Sequence, residues 1–155
     1  MKQGPDLQRI EENMRTGPLA AHGFMGTDTR SLAAVLQADQ VRLERLGITK
    51  EEMAARMRHF TEIGKEHLGQ AIVVEGKYRV ETIDHKGSIL CPFAHDYQAS
   101  KCNTHLTCLR TGRRIVWSDL NIHLVEEHGF FEGNGARFRL EPEELADILG
   151  LNPVR

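Results

Sequence analysis

The run Ala71-Ile72-Val73-Val74-Glu75-Gly76-Lys77-Tyr78-Arg79-Val80-Glu81-Thr82 is where the chain changes its hydrophobic period. Positions 71–74 read as a buried strand and Gly76-Lys77 as a turn, with Tyr78, Val80 and Thr82 alternating along a return strand. Before this run apolar residues recur with helical spacing, and after it period two takes over. The expected class is therefore α+β: an N-terminal helical hairpin packed with a small antiparallel sheet and a finger-like strand-hairpin-helix unit. A helical region over 1–69 and a sheet-plus-helix region over 70–155 are expected to form one compact unit.

Upstream, Leu32, Val35, Leu36, Leu43 and Leu46 mark one face of a helix, with Thr27 or Asp28 placed as its cap and Gly47 as its terminator. Thr49 and Glu52 then have capping-box spacing, and Met53, Met57, Phe60, Ile63 and Leu68 form the stripe of a second helix. Two helices joined so closely form either a hairpin or a more open helix-turn-helix corner. The second carries Glu51, Glu52, Glu62 and Glu66 among its cations, so it offers no basic face to a DNA groove. A further helix fits Asp6 to Arg15, followed by a connection through Gly17-Pro18 and His22 to Gly26.

Downstream, residues 88–91 and 104–110 have strand character, and Thr111-Gly112 turns the chain into Arg114–Trp117. Strand parity puts Cys102, Thr104, Leu106 and Cys108 on one face and His105 on the other, which makes Cys108 a small core residue. Ser118 or Asp119 caps a helix ending at Gly129. Phe130-Phe131 anchors its end, Phe138-Arg139-Leu140 reads as extended, and Pro142 starts a terminal helix pinned by Leu145, Ile148 and Leu149.

The chemistry-bearing residues cluster in Cys91-Pro92-Phe93-Ala94-His95 and in His123-Leu124-Val125-Glu126-Glu127-His128. A thiol in a turn and two histidines on a short helix are what finger-type zinc sites use, and such sites tolerate three to five residues between the histidines. Residues five apart are separated by about 140° on an ideal helix, so the rings need an irregular helix end to converge. The expected ligands are Cys91, His123 and His128, plus one of His95 or Cys102. The protease arrangement, with histidines at i and i+4 beside a glutamate, is not matched. His22, His59, His67 and His85 have no partner at ligand spacing and read as surface or locally bonded residues.

Composition narrows the classes. The 20 basic and 22 acidic residues give a net charge of -2, with no polycationic stretch; Arg110, Arg113 and Arg114 read as solvated charge at a hairpin tip. Nucleic acid is therefore a disfavoured partner. No apolar run reaches membrane-spanning length, and the N-terminus lacks a signal-peptide pattern, so a cytoplasmic protein is expected. Three cysteines are an odd number and suit reduced thiols better than a disulfide framework. There is no phosphate-binding Gly-Lys-Ser/Thr loop, dinucleotide fingerprint or nucleophile elbow.

The runs Gly23–Arg30 and Ile122–Gly133 resemble stretches of small uncharacterised bacterial proteins, a likeness that implies a bacterial cytosolic protein of unassigned role and supplies no catalytic residues. The segment from Cys91 to His128 separately resembles a Cys2His2 zinc finger whose second cysteine is replaced by His95 or displaced to Cys102. The leading expectation is a non-enzymatic, zinc-stabilised module with a protein partner. The alternatives are a metal-free interaction protein with core cysteines, and a zinc hydrolase using His123 and His128 with Glu126 or Glu127 as base.

Overall fold

The computed structural model describes residues 3–16, 23–93 and 96–151. Its elements are α1 (Pro5–Arg15), α2 (Leu32–Leu46), α3 (Lys50–Glu66), β1 (Ile72–Val74), β2 (Tyr78–Leu90), β3 (Gln98–Cys108), β4 (Arg114–Ser118), α4 (Asp119–His128) and α5 (Pro142–Leu149). The protein is α+β, with the four strands in one antiparallel sheet of order β1-β2-β3-β4. The expected Gly17-Pro18 connection and His22 lie outside the described residues.

Local chemistry sets most element ends. Thr49 and Glu52 form the capping box of α3, and Ser118 with Asn121 forms another at α4, in each case satisfying amides that have no partner inside the helix. Gly47 and Gly129 end α2 and α4 in the left-handed conformation, at φ 68° and 61°. The cap of α2 is Ser31, whose hydroxyl accepts from the Ala34 N–H, and not Thr27 or Asp28. Asp28 is buried instead and binds the Arg30 guanidinium and the Asn134 N–H, which holds residues 27–31 out of the helix.

Three further expectations are corrected. Leu68 is 91% exposed because α3 ends at Glu66 and the chain turns at Leu68 with φ 56°. The separate strands expected near 78–82 and 88–91 are one strand, since a register shift between Asp84 and Ser88 absorbs the Lys86-Gly87 irregularity. The stretch expected to be extended at Phe138–Leu140 turns at Arg137-Phe138. That turn directs the Arg139 guanidinium onto the buried Asp39 carboxylate at 2.6 Å.

Helix α3 lies against β2 and α4, whereas α2 lies against α1 and α5, so the α2–α3 junction is the open corner of the two alternatives. The main core joins Met53, Met57 and Phe60 of α3 to Val80, Leu106 and Trp117 of the sheet and Leu145 of α5, so both sequence regions contribute to it. Trp117 Nε1–H donates to Thr61 Oγ1 at 2.9 Å, and Thr61 shares a 2.6 Å hydrogen bond with Thr104, so these buried polar atoms are satisfied. A second core contains Met14, Phe24, Leu32, Cys91 and Phe130. Helix α4 sits between the two cores, giving Ile122 and Val125 to the first and Leu120 and Leu124 to the second. Each fully buried aliphatic of this kind contributes about 2 kcal/mol, so α4 is firmly placed.

Candidate metal centre

Helix α4 carries two of the three central side chains. His123 is buried within the helix, and His128 is its last residue, half-buried, just before the left-handed Gly129. The third comes from the β2–β3 ribbon. Cys91 follows the last residue of β2, is 1% exposed, and donates its backbone N–H to the Tyr97 carbonyl at 2.9 Å, which closes the turn at the ribbon's end.

The three side chains converge. One ligand atom from each of Cys91, His123 and His128 lies within 4.8 Å of the others, and this group can hold a metal ion. Cys91 Sγ is 3.5 Å from His128 Nε2, and the two imidazole centroids are 5.2 Å apart at 78°. Zinc–sulfur and zinc–nitrogen bonds of about 2.3 and 2.0 Å in a tetrahedron place S and N roughly 3.5 Å apart. The Cys91–His128 pair already has that separation, and closing the rest of the triangle takes movement of only about an ångström.

Two aromatic rings hold the imidazoles in place. Phe93 stacks on His128 with centroids 4.0 Å apart and planes at 6°, and Tyr97 stacks on His123 at 3.7 Å and 4°. Phe93 also meets Phe130 edge-on at 5.5 Å, which ties the Cys91 turn to the C-terminal end of α4. The helix runs regularly to His128, so the two imidazole centroids come within 5.2 Å of each other without the irregular helix end that the 140° offset suggested. Sequence reasoning missed the Phe93 and Tyr97 rings. Their only signal was their position two and six residues after Cys91.

Burial pushes the Cys91 thiol above its ordinary range, with a backbone hydrogen bond involving Phe93 pulling the other way. Without a cation the group is a neutral thiol beside an imidazole. A bound divalent ion would reverse that preference by stabilising the thiolate.

The remaining sequence candidates fall in different places. Cys102 is not in the group: it is buried on β3 opposite Asp84, beside a cleft lined by Lys65, Gly69 and Thr82. His95 lies outside the described residues. Cys108 is half-buried against the edge of the main core. His59 Nε2 is 3.3 Å from Glu75, and His67 Nδ1 is 2.9 Å from the Ile63 carbonyl, so both are locally bonded. Phe130 and Phe131 are fully buried, as expected of anchors.

An open cleft of about 950 Å³ runs past the group, with Arg58, Lys65, Glu126 and Asp119 on its walls. Four of its charged side chains pair with one another, Arg58 with Glu126 at 2.7 Å and Lys65 with Asp119 at 2.6 Å, while Glu62 and Glu127 also line it. The Glu126 carboxylate is thus held by a guanidinium instead of being presented to a water at the metal group. At the hairpin tip Arg113 pairs with Asp147 at 2.6 Å. Among the described residues no helix is long and apolar enough to cross a membrane. Comparison with protein-family models, curated proteins and solved structures finds no match for this chain.

Proposed function

We propose that this chain is a non-enzymatic interaction module in which one zinc ion, held by Cys91, His123 and His128, clamps the end of the β2–β3 ribbon to α4. The observation that carries this reading is the convergence of three ligand atoms within 4.8 Å from two separate elements. One soft thiolate with two imidazoles is a donor set that suits zinc and disfavours magnesium or calcium. Cys102 lies outside the group, and His95, the other candidate for a fourth ligand, lies outside the described residues. A fourth protein ligand would leave no position for substrate, and Arg58 engages Glu126, one of the two candidate bases, so both favour a structural role over hydrolysis. With a net charge of -2, and with Arg58 and Arg113 each paired to a carboxylate, the surface suits a protein partner better than nucleic acid.

The test is metal per chain, measured by elemental analysis and native mass spectrometry on protein purified without chelator. One zinc is expected, with loss of the metal and a melting temperature lower by on the order of 10 °C in Cys91→Ser and His123→Ala. Cys102→Ser should keep its zinc. Metal-free protein whose melting is unmoved by chelator would overturn the reading and leave the Cys91–His128 contact as a thiol–imidazole hydrogen bond in a metal-free module.

A further inference from the structure

The run Gly23–Arg30 meets the end of the run Ile122–Gly133 and the residue after it, beyond the two histidines of the metal group. Gly133 donates its N–H to the Phe24 carbonyl at 2.9 Å, Thr27 donates to the Asn134 carbonyl at 2.9 Å, and Asn134 donates to Asp28 Oδ2 at 3.0 Å. The clasp admits no side chain at its crossing points. A Cβ on Gly26 would run into the backbone of Gly135 and Ala136, and one on Gly133 into that of Met25.

Between this clasp and the far part of the β2–β3 ribbon lies a cavity of about 590 Å³, within the roughly 300–1,000 Å³ typical of small-molecule sites. Phe24, Ile89, Leu120 and Phe138 supply apolar wall. Glu132 also lines it, only 4% exposed, with Oε2 accepting from Asn121 Nδ2 at 3.1 Å. Its backbone is held at φ 69°, a conformation that a residue with a side chain adopts only when the surroundings impose it. Around the same cavity stand Lys101 and Arg137, both exposed, and among the described residues neither makes an ion pair.

We propose that this cavity is a second binding site, separate from the metal group, for a small organic anion with an apolar body, such as an aryl or alkyl carboxylate. The apolar wall takes the body, and Lys101 and Arg137, whose guanidinium lies 5.2 Å from the centroid of the Phe138 ring, take the charged head. Burial pushes the Glu132 carboxyl up to about 8, so near neutrality it holds its proton and does not repel the ligand's charge.

The experiment is isothermal titration calorimetry of the full chain as purified with 3-phenylpropionate, its neutral amide 3-phenylpropanamide and the cation 3-phenylpropylamine. The carboxylate is expected to bind most tightly of the three. The double variant Lys101→Gln/Arg137→Gln should weaken it by about tenfold or more while leaving melting unchanged, since both side chains are exposed. No detectable binding of the carboxylate, equal binding of the amide or amine, or unchanged affinity in the double variant would each overturn the proposal.

Discussion

Glu132 is a carboxyl group that the fold prefers protonated. Its ordinary value of 4.5 is raised to about 8, chiefly by burial, with the Asn121 hydrogen bond and the nearby Arg139 pulling it back. Between those two pH values the folded state holds a proton that the unfolded chain has released, so stability falls as pH rises from about 4.5 to 8 and then levels off. The loss is on the order of a few kcal/mol. Glu132→Gln should melt close to the parent at pH 5 and well above it at pH 8.5; equal melting of the two at pH 8.5 would refute this. Glu75 and Glu141 act in the opposite sense: their guanidinium partners hold both near 2, so their stabilisation is present above about 4.5 and lost as pH falls towards 2. None of this was legible in the sequence, because burial of a single glutamate depends on α4 and the clasp closing around it.

Elements were legible where their determinants are local. Thr49 with Glu52, Ser118 as one of the two caps offered for α4, and the glycines ending α2 and α4 act within a few residues, so helix limits could be read from them. Thr49→Ala should accordingly cost about 1 kcal/mol, or a few degrees of melting temperature, without changing metal content. The misread limits of α2 and β2 had distant causes. Asp28 is occupied by Asn134, far along the chain, and the Asp84–Ser88 irregularity is stabilised by pairing with β3. The candidate site divides in the same way. Cys91, His123 and His128 were found by residue type and spacing, whereas the separation of Cys102 from them follows from strand register.

At the scale of the molecule, α4 is the shared wall of two cores, and the segment after it is tied to α2 by the Arg139–Asp39 pair. Asp39 is 1% exposed and its other partner, Arg42, is 3.2 Å away. Arg139→Met should therefore cost about 3 kcal/mol, read as a lower urea midpoint, because a buried carboxylate loses its nearer cation. The stacking of Phe93 and Tyr97 on the two imidazoles reaches further. Folding itself has already restricted those side chains, so little conformational freedom remains for an arriving ion to remove. Loading would then leave the outline of the protein almost unchanged while slowing the parting of ribbon from helix, so that occupancy is recorded in how long the two stay together. A partner that grips both elements would meet the same surface in the empty and the filled protein, and would distinguish them by lifetime alone.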